Sequence, residues 1–578
     1  MKTRNVLLFG LLLTGAITIC LPPLSAKTWY VNSATTIWTG KPADDVKATI
    51  AEAITAAGDD DQVWVAGGVY DTLTAVITLK DKVSLYGGFA GTENAIEDRA
   101  KVAGGQPWEF QNPTVLISKA GVFIKPSTHT DATLTIIDGF TTEGYVNAAA
   151  TSGGYAISYN ATGAGGITVR NCIAQNTCQS YTGTADHGGI GVKGNTCVVE
   201  YCLIQNNKGK NGGGAYVEGG TIRNCVIKNN RTRLDGASSA GNASNAGNGG
   251  GVFILGTGKV YNCWIEGNTS SYGGGAFMGN NAGGLFYNNV VVNNTASKNG
   301  GAISFDERNG ASVSCFPYNV TLANNTVTAA GGGGVYMGVT GNRLYNAILY
   351  NNKDANGAVK NIAIAADKTP VLKNNISEAD LSTYGTGNVV ATDSATLFGG
   401  KWLTAANSPG KDAGTVEDIT LPATDITGDT RVVGAAIDIG PYEVQNKKVV
   451  LTFGAGVTVT APGSVATSPD TSSVTFNGQY TVTFTLPGGY TPVVTVNGVA
   501  ADPALSNGSY TVTVSNIATT ATVAISAIEP VVVTVAADPG IVITYPSNET
   551  SFLSGKGDPF ELRFTAEGYE LTKVDVGG

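Results

Sequence analysis

Residues 211–230 read NGGGAYVEGGTIRNCVIKNN. Three glycines, a small apolar–aromatic pair, Asn-Cys and then Asn-Asn fit neither the period of a helix nor a plain hairpin. Alignment on Cys225 brings other segments into line: RNCIAQN at 170, EYCLIQNN at 200, YNCWIEGN at 261 and YNNVVVNN at 287. YNVTLANN at 318, YNAILYNN at 345 and KNNIS at 373 continue the series. The Cys position falls at 172, 202, 225, 263, 289, 320, 347 and 375, with spacings of 23 to 38 residues. A motif that holds while its period varies describes short strands stacked in register, with insertions in the connections.

Each column of the alignment has a physical meaning. Three residues before the Cys position stand Val169, Val199, Ile222, Val260, Phe286, Pro317, Leu344 and Leu372. Two after it stand Ala174, Ile204, Ile227, Ile265, Val291, Leu322 and Leu349, so both columns face inward with the Cys position beside them. Immediately before it come Asn171, Asn224, Asn262, Asn288, Asn319, Asn346 and Asn374. Asn tolerates left-handed backbone and can bond to its copies on adjacent coils, which suits a stacked corner. A second Asn column follows at 176, 206, 229, 293, 324 and 351, and glycine clusters recur at 212–214, 249–251, 273–275, 300–301 and 331–334. Three short strands per coil with Gly and Asn at the corners predict an all-β chain: a right-handed parallel β-helix, a pectate-lyase-like solenoid with coils about 4.8 Å apart. Small β-sandwich-like repeats follow it.

Cys172, Cys202, Cys225 and Cys263 share one inward column. Strand spacing permits a disulfide between neighbours, but a reduced ladder of small hydrophobes, continued by Asn289, Val320 and Ala347, is the expectation. The chain has 578 residues, a net charge of −9, 14% charged residues, 78 Gly and only 2 His. That balance excludes charge-driven disorder and a general nucleic-acid binder, and the cysteine spacings do not suit zinc. Lys2 and Arg4, the apolar run Val6–Ile19 and Ser25-Ala26 read as a signal peptide over 1–26. Ile19 is too bulky for lipidation at Cys20, and no other stretch is apolar for long enough to span a membrane. Export to the cell surface, the outer membrane or the medium is expected.

The β-helix is expected over 27–379. Residues 43–57, ADDVKATIAEAITAA, read as an amphipathic capping helix with Val46, Ile50 and Ile54 on one face. Residues 380–445 break the repeat and form a C-terminal cap. From Val449 the sequence alternates Thr and Val: YTVTFTLPGGYTPVVTVNG at 480–498 is matched by FELRFTAEGYELTKVDVGG at 560–578. These are two copies of one module, 446–528 and 529–578. The second reads as incomplete, as from a truncated chain.

LYGGFAGTE at 85–93, the coil motifs from 170 to 378, and SPGKDAG at 408 with LPATDITGDTRVVGAAIDIGPYE up to 443 together resemble a known group. It is the exported bacterial right-handed β-helix proteins with a choice-of-anchor Q domain, and the resemblance covers roughly residues 28–445. The coils are also similar to repeats of polymorphic outer-membrane adhesins, and the tail resembles bacterial surface β-repeats. The resemblance implies a secreted or cell-surface protein and no reaction.

Function must come from sites, because β-helices also carry polysaccharide-cleaving enzymes. Between residues 150 and 350 the carboxylates are Asp186, Glu200, Glu218, Asp235, Glu266, Asp306 and Glu307. None falls into the paired spacing a glycosidase needs. The weak candidates for catalysis are Asp306, Glu307 and Arg308 in SFDERNG, with His187. Asp59–Asp61 and Asp425/Asp429 read as turn residues, so neither a metal nor a cofactor is expected. Two residues before the Cys position, Tyr261, Tyr287, Tyr318 and Tyr345 form a column that is expected to point outward. They would serve as a platform for sugar rings or as a structural aromatic ladder. Arg223, Lys228, Arg231 and Arg233 belong to a basic stretch suited to an anionic glycan or simply to a solvated face. The expectation is a non-catalytic cell-surface protein that binds polysaccharide or a surface glycan in adhesion. A polysaccharide lyase or glycoside hydrolase is the first alternative, a structural spacer the second. The sequence leaves the oligomeric state open.

Overall fold

At each first corner the chain turns through left-handed backbone, with Asn171, Asn224, Asn262, Asn288, Asn319 and Asn346 at φ 50–54°. Asn176, Asn206, Asn229, Asn293, Asn324 and Asn351 do the same at the second corner, at φ 51–57°. Asn occupies this region at lower cost than other side-chain-bearing residues. The computed structural model describes residues 26–73, 76–118, 124–126, 135–144, 157–160, 166–177, 188–232, 247–279, 283–305, 316–329, 331–400, 402–444, 446–461, 468–475, 478–517, 521–528, 530–534, 541–545, 551–555 and 563–566. The expected leader, apart from Ala26, lies outside them, as do His187, Arg233, Asp306, Glu307, Arg308, Cys178 and Cys315.

Between the corners run parallel strands in strict register. The first limb of each coil stacks Ile167–Arg170 on Cys197–Glu200, then Thr221–Arg223, Lys259–Tyr261 and Leu285–Tyr287. The second limb stacks Ile173–Gln175, Leu203–Gln205, Val226–Lys228, Trp264–Glu266 and Val290–Val292. These limbs belong to one 23-stranded sheet. A ten-stranded sheet containing Ile190–Lys193, Ala215–Glu218 and Val252–Leu255 forms the opposite wall, and a short five-stranded sheet closes the coil. Parallel crossovers of this kind are right-handed. The chain is therefore a right-handed parallel β-helix.

The core is what the alignment predicts. Val169, Val199, Ile222, Val260 and Phe286, and Ala174, Ile204, Ile227, Ile265 and Val291, are all fully buried in one cluster. Cys172, Cys202, Cys225 and Cys263 lie among them as free thiols. Each donates to the carbonyl two residues earlier, for example Cys225 Sγ to Arg223 O at 3.1 Å. The glycine corner is equally determined: Gly212 has φ +62°, and a Cβ on Gly214 would lie 2.7 Å from Gly251 O and 2.8 Å from Asn230 Nδ2.

A further ladder escapes the sequence reading. In each Asn-Asn pair, and in Gly267-Asn268, the first residue makes the corner, while the second turns its amide inside. Asn207, Asn230, Asn268, Asn294, Asn325 and Asn352 are buried to 0–1% exposure. From Asn230 onward each side-chain carbonyl accepts the N–H and the amide of its counterpart on the preceding coil, as Asn268 Oδ1 does from Asn230 N at 2.9 Å and Nδ2 at 3.0 Å, while Asn207 Oδ1 accepts Thr177 N at 3.1 Å and the Thr177 hydroxyl at 2.7 Å.

The N-terminal helix is shorter than its pattern suggests. Ala43–Asp45 is a 3₁₀ turn, Val46–Lys47 pairs with Tyr30–Val31, and the α-helix covers Ile50–Ala56. The reason lies at Thr49, whose hydroxyl accepts Glu52 N at 3.1 Å while Glu52 Oε2 accepts Ala48 N at 3.2 Å. The Thr49 cap, braced by Glu52 reaching back to the residue before it, starts the helix inside the expected segment. Ile50, Ala53 and Ile54 then join the solenoid core.

The chain divides into two compact units, one extending to Lys373 with Ser377–Thr386, the other Asn374–Ile376 with the residues from Gly387 on. In the second unit, a five-stranded sheet (strands 446–453, 470–475, 491–496, 499–501 and 521–528) and a four-stranded one (458–461, 478–485, 504–506 and 509–517) enclose Val449, Leu451, Val482, Phe484 and Val523. Asn446–Phe453 pairs antiparallel with Asp470–Thr475, and Thr458–Ala461 with Gly478–Thr485. Pro530–Thr534 with Ser551–Gly555, and Ile541–Tyr545 with Arg563–Ala566, repeat that pattern. Among the described residues no helix is long and apolar enough to cross a membrane.

Candidate functional site

Because alternate residues of a strand face opposite ways, the first limb carries one outward row along the solenoid. Rung by rung it reads Tyr30, Trp64, Tyr86, Asp138, Arg170, Glu200, Arg223, Tyr261, Tyr287, Tyr318, Tyr345 and Lys373. Its N-terminal end is covered. Trp64 and Tyr86 are buried in a cluster with Trp38 and Phe89. Arg99 reaches Gly87 O at 2.9 Å and Asp138 Oδ1 at 3.2 Å. Asp138, fully buried, also accepts Arg170 Nε at 2.7 Å and Asn171 Nδ2 at 3.0 Å. Burial alone would raise its carboxyl. Arg99 beside it and the bonds from Arg99, Asn171 and Arg170 outweigh that and hold it below the ordinary carboxylate range.

The tyrosine column lies in this row and, of the two expected roles, does not form the open platform. Tyr261 and Tyr287 stack with centroids 4.7 Å apart and planes within 5°, and Tyr287 and Tyr318 stack at 5.1 Å and 14°. Strand spacing forces each ring to cover its neighbour's face, so the stack presents edges rather than faces. Tyr318 and Tyr345 are moreover only 1% exposed, with Phe316 packed 5.7 and 5.3 Å from them. Burial, then the neighbouring Tyr261, pushes the Tyr287 phenol above its ordinary range. Outward orientation therefore does not amount to exposure here, and the column is a structural ladder along its C-terminal half.

The basic candidates separate in the same way. Arg223 is bound to Glu200 through Nε at 2.8 Å and Nη2 at 2.6 Å, and Nη1 reaches the Tyr261 hydroxyl at 3.4 Å. Lys228 stands in the outward row of the second limb, in register with Gln205 and Glu266. Arg231 is exposed on the short sheet beside Lys208. The described coil carboxylates hold coils together: Glu218 pairs with Lys193 at 3.0 Å, and Glu266 accepts Trp264 Nε1 at 3.1 Å and Asn293 Nδ2 at 3.0 Å. The Asp61 carboxylate takes Lys27 N, Trp29 Nε1 and Gly58 N, and that of Asp425 takes the N–H groups of Thr427, Asp429 and Glu443. Such carboxylates serve turns. Among the described residues no group of three potential ligands is placed to hold a metal ion.

What stays open is a window four coils long. Downstream, the outward Val290, Val292, Thr321, Ala323 and Ile348 are all at 0% exposure. Upstream, the row is closed at Asp138. Between them Arg170, Ile173, Gln175, Gln205, Arg223, Val226, Lys228, Tyr261, Trp264 and Glu266 are half-exposed, while Leu203, between Ile173 and Val226, is buried. Two residues of this window escape the sequence reading. Trp264 follows the inward Cys263 and so faces out between Val226 and Val290. Its position immediately after the Cys column was the available signal. Tyr201 occupies the Asn corner column at φ 52° and is 41% exposed. A tyrosine in a column of asparagines was legible in the alignment.

The in-register pairings fix the class as a parallel β-helix. No protein-family model matches the chain, and no curated protein does. Among solved structures it is similar to the pectate lyase Pel9A, with 14% identity, TM-score 0.37, and coverage of 73% of this chain and 97% of that one. A variant of a PL6-family alginate lyase aligns at 12% identity and TM-score 0.29 over 70% of this chain and 60% of that one. The Dettilon tailspike protein aligns at 12% and 0.29 over 88% and 84%.

Proposed function

We propose that this is an exported, non-catalytic β-helix protein of the cell surface that binds glycan through the four-coil window, in an adhesin-like role. The observation that carries the reading is the window itself. On a face covered at both ends of its first-limb row, the uncovered coils combine an outward indole, Trp264, with polar side chains repeating at one coil spacing. Gln205 Nε2 bonds Gln175 Oε1 at 2.7 Å, so these amides are already aligned along the axis. Sugar recognition uses this combination of aromatic surface and fixed hydrogen-bonding groups. The non-catalytic part of the proposal is supported by the engagement of Glu200, Glu218 and Glu266 in inter-coil or intra-coil bonds. Residues 380–445 are assigned, on their resemblance, to a choice-of-anchor Q cap, and the leader to export.

The test is binding of the full chain to a panel of neutral and acidic polysaccharides, with a parallel assay for new reducing ends. Retention of at least one glycan by the native protein, with at least tenfold weaker retention by Trp264→Ala, is expected. Release of reducing ends would replace this reading with an enzyme. Absence of binding across the panel would favour a spacer.

A further inference from the structure

We infer that Tyr201 and Arg170 form a subsite for a saccharide unit bearing an anionic group, a deepening that rests on the glycan reading above. The first observation is conformational. In a corner column otherwise made of asparagines, Tyr201 alone puts a bulky side chain into left-handed backbone, at φ 52°. An L-residue of that size is strained there, whereas Asn largely escapes the cost. Strain of this kind persists where something other than stability retains it. Tyr201 is also 41% exposed in the middle of the window, and no ring of the described residues stacks on it. Unlike those of Tyr261 and Tyr287, its ring has no aromatic partner among the described residues.

The second observation is the neighbouring guanidinium. Glu200, which precedes Tyr201, is in register with Arg170 on one side and Arg223 on the other. Arg223 is occupied by Glu200. Arg170 is different: its Nε is fastened to the buried Asp138 at 2.7 Å, its side chain remains 35% exposed, and its Nη groups have no partner among the described residues. Asp138 is itself shared with Arg99 at 3.2 Å, so two guanidinium groups at this end of the window share one carboxylate. A guanidinium held by one edge and open at the other suits two-point recognition of a carboxylate or sulfate. One coil away, about 4.8 Å along the axis, Tyr201 supplies the ring face. A sugar ring stacked on Tyr201 would thus place its charged substituent toward Arg170.

The experiment uses the full chain with three probes: polygalacturonate for carboxylate, dextran sulfate for sulfate, and dextran as the neutral control. Native protein is expected to bind at least one anionic probe at least tenfold more tightly than dextran. Tyr201→Asn, which restores the residue of the column, should weaken that binding at least tenfold while its unfolding midpoint stays level or rises. Arg170→Gln should erase the preference for the anionic probes. Comparison of the two probes shows whether carboxylate or sulfate is the group recognised. Full affinity in Tyr201→Asn would overturn the inference, as would equal binding of dextran by the native chain. Loss of binding in Trp264→Ala but not in Tyr201→Asn would leave the glycan reading standing and remove this subsite. A native chain that binds no glycan at all removes both.

Discussion

Truncation of Asn268 to alanine tests what holds the coils together. Its side chain makes four bonds: Oδ1 accepts Asn230 N and Nδ2 at 2.9 and 3.0 Å, and Nδ2 donates to Ile227 O at 2.9 Å and Asn294 Oδ1 at 3.0 Å. In Asn268→Ala, Asn294 Oδ1 still accepts Asn268 N, and Asn230 Nδ2 still donates to Ile204 O. The backbone N–H of Asn230 and one of its amide protons are left without an acceptor in a site with no water access. Each such donor costs about 1–3 kcal/mol, so the loss is about 2–6 kcal/mol. Asn229→Ala makes the control: the side chain is exposed and only the left-handed corner is disturbed, at about 1–2 kcal/mol. Hydrogen exchange of the full chain, resolved to the peptide holding Asn230, reads the difference directly. A loss of 3 kcal/mol corresponds to roughly a hundredfold fall in protection. If Asn268→Ala changes protection no more than Asn229→Ala does, the internal ladder is not what locks the coils.

Two further outcomes follow from buried groups. The thiols of Cys172, Cys202, Cys225 and Cys263 are buried and free; they should resist labelling until the chain unfolds, and a reductant should leave the unfolding midpoint unchanged, whereas a fall would reveal a bond between coils. In the second unit Arg431, Asp425, Asp438 and Glu443 are buried together, and burial pushes the Glu443 carboxyl up to about 7, with Asp425 and Asp438 shifted in the same direction. A folded pKa above the unfolded value means that the folded state holds the extra proton, so the contribution of Glu443 to stability is greatest at low pH and falls by about 3 kcal/mol as pH rises from about 4.5 through about 7. Glu443→Gln should flatten that slope in urea titrations, and an unchanged slope would show that Glu443 is not its source.

The solenoid was legible because its causes are local. Left-handed backbone demands Asn or Gly at fixed positions, and alternation puts Val199 and Ile222 inside whatever the loops do. The N-cap at Thr49 was also present in the sequence, but the apolar period of Val46, Ile50 and Ile54 outweighed it, and Val46 went to a strand. Exposure was not legible. Tyr318 and Tyr345 have the same spacing as Tyr261, yet Phe316 packs against them. Asp138 is closed off by Arg99, which comes from another coil, 39 residues earlier. Such coverage depends on where connections fold back, and a column of the alignment carries no record of it.

This difference decides which departures from the repeat point to function. Inward columns and the internal Asn ladder satisfy nearly every bond and apolar contact a coil needs, so the outward row is free to vary. Its passage from Asp138 through Arg170 and Glu200 to the tyrosines therefore says little by itself, since neighbours need only match one another. A corner is not free in that way. Each of its positions must tolerate φ near 50°, and Asn does so at the least cost after glycine. Where the chain places Tyr201 there instead, it gives up stability at a position where the sequence had an easier choice on either side, Asn171 and Asn224. A departure that costs stability and also exposes an aromatic face beside an anchored guanidinium is better evidence of a ligand than any stretch of the outward row.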